Sequence, residues 1–173
     1  LVWAGAAAAV AVFCLIVGLN TAPLPDKLDD FPVEKQQFLD SRGNPLNVSY
    51  QNWFNVFDAV ELYDVPELLQ KMFIAAEDKN FYTHHGIDWG ARLSAVVQNV
   101  KAGRVVRGAS TLTEQVVRML YPRPRTLFSK IVEGVDAWRL ERRFSKDEIL
   151  KFYLNQVPYA SNRRGIKQAA RYY

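Results

Sequence analysis

Apolar positions run almost unbroken through the first nineteen residues, LVWAGAAAAVAVFCLIVGL, which hold no charged side chain. That is the length and composition of a membrane-spanning helix, for which ~20 residues suffice. A cleaved secretory signal is the rival reading, but the run is long for one and the NTAPLP that follows is a poor small-x-small cleavage site. The chain opens inside the apolar run without Met, so a preceding N-terminal piece is expected. TAPLPDKLDDFP (21–32) is proline-rich and acidic, the composition of a short stiff stalk. QQFLDSRGNPLNVSY (36–50) alternates around an Arg-Gly-Asn-Pro turn and reads as a β-hairpin.

From Asp64 the period becomes helical. Asp64 and Glu67 have the spacing of a capping box, with Pro66 tolerated in the first turn. Leu68, Leu69, Met72, Phe73 and Ala76 then make an apolar stripe, and Glu77 continues it. A carboxylate at the end of a buried face is informative, because desolvation favours its protonated form. A second helix is predicted over 88–102, capped by Asp88 and stopped by Gly103, with Trp89, Leu93, Val96, Val97 and Val100 on one side. After the basic loop KAGRVVRGAS a third helix starts, where Thr111 and Glu114 can cap it and Leu112, Val116 and Leu120 face inward. The YPRPRT stretch breaks the chain. A fourth helix covers 127–143, with Ile131, Val135 and Trp138 inward and Lys130, Glu133, Ala137 and Glu141 aligned on a separate face. Ser145 and Glu148 cap a last helix, SKDEILKFYLN, which ends before Pro158. The fold class is mainly α.

Charge divides the chain. Residues 1–100 carry 6 Lys+Arg against 12 Asp+Glu and residues 101–173 carry 16 against 6, a net of −6 followed by a net of +10. A basic half on a tethered domain suits anionic lipid headgroups or a phosphate-bearing substrate, and a solvated helix face is the plain alternative. Nucleic acid is disfavoured, since the anchor gives the domain the wrong address. The acidic flank at 21–40 favours an extracytoplasmic domain. Cys14, the only cysteine, lies in the apolar helix, so no disulfide or cysteine metal site is available.

The stretch AAEDKNFYTHHGID (75–88) holds both histidines. Adjacent His84 and His85 cannot both point into one metal site from regular helix or strand, and no H-E-x-x-H spacing exists. His84 more simply hydrogen-bonds its loop and orients an acid. Phe81 reads as a core plug, Gly86 as a turn needing positive φ, and Asp78 as a local cap or pair. The sharper reading takes Glu77 as general base and Glu133 as a second carboxylate. Ser110, Thr111, the helix start behind them, Arg118 and Lys130 then suit a diphosphate.

Those residues fall into an ordered series of motifs. Glu77, Asp78, Phe81, His84 and Gly86 give E-D-x-x-F-x-x-H-x-G, and Gly108, Ser110, Thr111, Thr113 and Gln115 give G-x-S-T-x-T-x-Q. Lys130, Glu133 and Glu141 form a third motif. Lys146, Ile149, Leu150, Tyr153, Leu154 and Asn155 form a fourth, and RRGIKQAARYY begins a fifth. In this the chain resembles the peptidoglycan glycosyltransferases of glycosyltransferase family 51, which occur in class A penicillin-binding proteins and as monofunctional enzymes. The resemblance runs from about Pro66 to the end. It departs from the family pattern at Ala109, Glu114, Arg118, Ser129 and Ala160, where Gly, Gln, Lys, Arg and Gly are usual. The chain stops inside the last motif, as a fragment of a longer protein would.

The resemblance implies a lysozyme-like helical domain over 65–173 with a small membrane-proximal jaw, behind an anchor (1–20) and a stalk with hairpin (21–64). It implies polymerisation of a lipid-linked disaccharide-peptide at the outer face of the bacterial cytoplasmic membrane, with membrane lipids, the nascent glycan and other cell-wall synthesis proteins as partners. Glu77 and Glu133 would be catalytic. Asp78, Phe81, His84, Ser110, Thr111, Thr113, Gln115, Arg118, Lys130, Glu141 and Asn155 would bind substrate. Some members place a divalent cation, magnesium or manganese, at the diphosphate; no organic cofactor is implied. Two other classes remain open: a lysozyme-like hydrolase, with water as acceptor and no need of a basic site, and a non-catalytic cell-wall scaffold.

Overall fold

The computed structural model describes residues 2–28, 38–44, 46, 58–161 and 163–173. Among them are seven α-helices: α1 (Val2–Asn20), α2 (Glu67–Glu77), α3 (Trp89–Ala102), α4 (Leu112–Leu120), α5 (Leu127–Arg143), α6 (Lys146–Gln156) and α7 (Ile166–Tyr172). Strands β1 (Pro158–Tyr159) and β2 (Arg163–Arg164) pair antiparallel, Pro158 opposite Arg164. The expected mainly helical chain is borne out. It divides into two compact units, Leu1–Leu24 with Tyr82–Arg143, and Pro25–Phe81 with Phe144–Tyr173.

In the first unit α4 packs along α5. Leu112, Val116 and Val117 of α4 and Val132, Ala137 and Leu140 of α5 are buried. Each of the larger aliphatics contributes roughly 1.5–3 kcal/mol on burial. The start of α4 is fixed by the predicted capping box: Thr111 Oγ1 accepts from Glu114 N at 3.1 Å and Glu114 Oε2 accepts from Thr111 N at 3.0 Å.

The inward face of α5 differs from the expected one. Ile131 and Trp138 are exposed and Val135 is half-buried, whereas Ser129, Val132, Glu133, Asp136, Ala137 and Leu140 point inward. The helix is turned by about one residue, ~100°, from the purely apolar reading. Arginines neutralise its two inward acids, so the charged face can be buried. Small residues at Ser129, Gly134 and Ala137 allow close approach.

Helix α3 has its predicted ends. Asp88 accepts from Ala91 N at 2.8 Å, and Gly103 closes the helix in the left-handed region at φ +63°. Its apolar stripe, however, faces out: Trp89, Leu93, Val96, Val97 and Val100 are exposed, Val100 by 75%. The side that turns inward carries Arg92, buried Ala95 and Asn99. Asn99 Oδ1 accepts from Val106 N at 2.8 Å and Arg107 N at 3.0 Å, pinning the basic loop back onto the helix.

Among the described residues no helix is long and apolar enough to cross a membrane. Helix α1 has 19 residues. It packs against α5, and Val17 on it and Ala22 just beyond it are buried.

In the second unit the box expected at Asp64 and Glu67 does not form. Pro66 is itself the N-cap, with no side-chain hydrogen bond there, and Asp64 ends a 3-10 turn over Leu62–Asp64. Glu67 instead pairs with Lys71 at 2.6 Å, and Gln70 Nε2 donates to the carbonyls of Leu62 and Val65. The α2 stripe is only partly covered: Leu68 and Met72 are exposed, Leu69 and Phe73 half-buried. Helix α6 has its predicted Ser145 capping box and buries Ile149, Leu150, Phe152, Tyr153 and Leu154. Of the expected hairpin, Leu46 N donates to Phe38 O at 2.7 Å and Asp40 N to Asn44 O at 2.8 Å around Gly43, at φ +80°. Its remaining positions lie outside the described residues.

Gly86 sits at φ +82° with a Cβ position 2.5 Å from the Trp138 backbone nitrogen, so both conformation and space exclude a side chain. Gly86→Ala is expected to lower stability by about 2 kcal/mol or more, read by chemical denaturation. A change within about 0.5 kcal/mol would show that this approach is not tight.

Candidate active site

Expected site residues of the first unit gather in two places. The first is a buried network. Thr111 Oγ1, while capping α4, donates to Gly86 O at 2.7 Å, and Thr113 Oγ1 donates to Glu141 Oε1. His84 Nδ1 lies 3.9 Å from the same Glu141 oxygen. His84, Gly86, Thr111, Thr113 and Glu141 thus tie the turn before α3 to the start of α4 and the end of α5. The expectation that His84 orients an acid fits this placement.

The second place is a cavity of about 470 Å³ lined by Ser110, Arg118, Pro124, Arg125, Thr126, Leu127, Ser129, Lys130 and Glu133. Its volume is in the range of small-molecule sites, ~300–1,000 Å³. Arg118 grips Glu133 with both arms of its fork, Nη2 to Oε2 at 2.7 Å and Nε to Oε1 at 3.2 Å. That bond, more than any other influence, holds the guanidinium above its ordinary pKa. The pair is close to neutral. Lys130 and Arg125 have no carboxylate partner among the described residues, which leaves about two positive charges on the rim. Thr126 Oγ1 accepts from Ser129 N at 3.0 Å and lies 2.9 Å from Ser129 Oγ, so the cavity also meets the capped start of α5. Arg125 and Thr126 were not singled out from the sequence. The signal for them was the dense run of cations in RPRT.

A divalent cation held by protein ligands alone is poorly served here. Among the described residues no three His, Cys, Asp or Glu side chains converge, and both oxygens of Glu133 are engaged by Arg118. The donor set does not fit a metal site built from protein ligands.

The second unit carries the other expected residues. Glu77 is the last residue of α2 and is exposed, so the desolvation expected from its place in the stripe is absent. The stripe ends short of it because α2 buries no residue fully. Phe73, one turn earlier, meets Tyr153 and Tyr159 edge-on, with ring centroids 6.5 and 6.4 Å away. Burial, and then the charge of Glu77, push the Tyr153 phenol up, and burial pushes Tyr159 up to about 12. Asp78 is the buried C-cap of α2, its N–H donating to Ile74 O. Phe81 is fully buried as the expected plug, with Lys146 Nζ 4.5 Å from its ring centre. Asn155 exchanges hydrogen bonds with the backbone of Val60, 2.8 Å in and 2.9 Å out. Gln115, by contrast, belongs to the first unit, half-buried on α4.

Similarity to known proteins points the same way. The sequence model of a family described as transglycosylase matches residues 47–173. The chain is 35% identical over 173 residues to penicillin-binding protein 1A of Aquifex aeolicus, covering 94% of this chain and 23% of that protein. It is 44% identical over 112 residues to penicillin-binding protein 1A of Neisseria cinerea, 64% of this chain and 14% of the other. Against the biosynthetic peptidoglycan transglycosylase of Acinetobacter baylyi it is 34% identical over 146 residues, 82% of this chain and 62% of that protein. The chain thus spans under two thirds of the length of each of these relatives.

Glu114, an unusual residue at its position, is the most testable group near the cavity. It is buried, bonded to Arg92, and its carboxyl is pushed up chiefly by burial. A carboxyl raised in the folded state contributes stability below its unfolded pKa and loses it as pH rises through the folded value. Glu114→Gln keeps the acceptor for Thr111 N but cannot ionise. Its melting temperature relative to the parent should therefore rise as pH increases from the ordinary glutamate range, about pH 4, to neutral and above. A difference that stays constant over that range would contradict the raised carboxyl.

Proposed function

Because this chain belongs to the transglycosylase family, we propose that it polymerises peptidoglycan glycan chains. The growing lipid-diphosphate-linked glycan is the donor, a lipid-linked disaccharide-peptide the acceptor, and undecaprenyl diphosphate the product released. The observation that carries this reading is the cavity around Lys130 and Arg125, whose charges no carboxylate among the described residues offsets. A hydrolase that delivers water has no use for such a rim. A leaving diphosphate, with two or more negative charges, matches it.

Glu77, exposed at the end of α2, accepts the proton of the acceptor's 4-hydroxyl. The freed oxygen attacks the anomeric carbon of the donor, and the bond from that carbon to the diphosphate breaks with inversion. Lys130, Arg125, Ser110 and the start of α5 take up the charge that develops on the diphosphate. Glu133 acts through Arg118, keeping the guanidinium extended along the cavity wall. The domain is lysozyme-like and corresponds to residues 65–173.

It works at the outer face of the cytoplasmic membrane, close to a substrate that stays in the bilayer. The support is the outward face of α3, on which Trp89, Leu93, Val96, Val97 and Val100 are all exposed, a grouping suited to contact with lipid at the membrane-proximal jaw. Exposed Val10, Leu15 and Leu19 on α1 add to it.

Glu77→Gln keeps the shape of the base but not its function, so turnover of labelled lipid-linked disaccharide should fall about a hundredfold or more. Binding of the substrate should change little, as for an interaction made only in the transition state. Wild-type turnover in this variant would end the general-base assignment. Lys130→Ala should weaken binding of the lipid diphosphate by roughly tenfold or more, and the loss should shrink at high salt. Reducing ends released from purified cell wall, with no polymer made from lipid-linked precursor, would establish the hydrolase instead.

A further inference from the structure

Asp136 stands on α5 three residues after Glu133, outside the cavity lining, and is fully buried. Its Oδ2 accepts from Arg123 Nη2 at 2.7 Å and from Ala22 N at 3.2 Å, and its Oδ1 from Arg139 Nη1 at 2.8 Å. The same two arginines reach the backbone that leaves α1: Arg139 Nη1 donates to Ala22 O at 2.9 Å and Arg123 Nη2 to Asn20 O at 3.3 Å. The Tyr121 hydroxyl donates to Pro23 O. One carboxylate therefore organises the junction of α1 and the segment between α4 and α5.

That segment is stiff. Arg123 lies between Pro122 and Pro124. Proline fixes its own φ and restricts the residue before it, so a pull at Arg123 is carried along the chain rather than absorbed. Immediately beyond, Pro124, Arg125 and Thr126 form a wall of the anion cavity. Thr126 is tied to the start of α5 through Ser129 N. Both ends of a short rigid strut are thus fastened to α5, one by Asp136 and one by the helix cap.

We propose that Asp136 is a positioning residue for the anion cavity: by gripping Arg123 it sets the 124–126 wall, and with it Arg125, at the spacing a diphosphate needs. This rests on the diphosphate reading and adds to it a residue that never touches the ligand. A cluster that served stability alone would have no bearing on which phosphate ester is bound.

The test is the preference between two probes, geranylgeranyl diphosphate and geranylgeranyl monophosphate, bound by the whole chain in detergent. Asp136→Asn keeps the size of the side chain and removes its charge. It should cost about tenfold in diphosphate affinity and leave monophosphate affinity within about twofold, because only the second phosphate depends on Arg125. Arg125→Ala should narrow the preference to the same extent, and the double variant should lose nothing more, as for groups that act as one unit. Arg123→Ala releases the strut while Asp136 keeps Arg139 and Ala22, so it gives the same reading should Asp136→Asn fold poorly. Equal losses for both probes, additive losses in the double variant, or an unchanged preference would each overturn the assignment. A parent chain that shows no preference for the diphosphate would instead sink the anion-site reading itself.

Discussion

The first unit depends on how carboxylates are buried in it. Glu114, Glu133 and Asp136 are each nearly or wholly inaccessible, and arginines meet them: Arg92, Arg118, and Arg123 with Arg139. Removing one partner from a buried ion pair costs about 3–5 kcal/mol, whereas the intact pair adds little net stability. The pairs therefore act less as a source of stability than as a constraint on alternatives. Helix α5 can present Glu133 and Asp136 inward only where α4 and the 121–126 segment supply the matching cations. Any rotation that offered Ile131 and Trp138 to the core would leave those arginines pointing at apolar surface. The electrostatic match selects the rotation, and the aliphatics at Val132, Ala137 and Leu140 supply the burial.

This explains which parts of the fold are legible in the sequence. Local signals hold wherever a single turn decides them: Thr111 with Glu114, Ser145 with Glu148, Asp88 at the start of α3 and Gly103 at its end. The Asp64–Glu67 box fails although its spacing is right, because Pro66 takes the cap position and Glu67 finds Lys71 one turn on. Which side of a helix faces inward is a different kind of question. Hydrophobic periodicity answers it only when polar residues are turned out, and α3 and α5 both break that condition. In α5 the acids are neutralised and buried; in α3 the inward side is Arg92, Ala95 and Asn99, and the apolar side is exposed. The same periodic logic predicts a desolvated Glu77, which is exposed because α2 buries no residue fully.

The candidate site shows a similar division. Residue types at motif spacings located Glu133, Lys130, Arg118 and Ser110, and the cavity contains all four. Spacing alone could not separate residues that face the cavity from those that build it. Thr111, Thr113, His84 and Glu141 are engaged with one another and with Gly86, and Asn155 with Val60. Their side chains hold the backbone that positions the site. Arg125 and Asp136 are not legible in the sequence for the opposite reason. Each belongs to a dense run of like or mixed charge, in which no single residue stands out until the fold gives it a neighbour.

Lys130 and Arg125, with no carboxylate partner among the described residues, relax this economy of charge at the cavity rim. Two cations on one rim repel each other, and the hydroxyls of Ser110, Thr126 and Ser129 offset that only weakly. An anion that binds the folded cavity and not the unfolded chain relieves the repulsion, and stabilises the fold in proportion to its occupancy. The arginines that meet Glu114, Glu133 and Asp136 make the cavity walls rigid, so the rim cannot collapse onto a protein carboxylate when no ligand is bound. Preorganisation of this kind moves part of the cost of binding into folding. The buried acids and the open cations are therefore two sides of one arrangement: the first fixes the walls so that the second stays available for a phosphate ester.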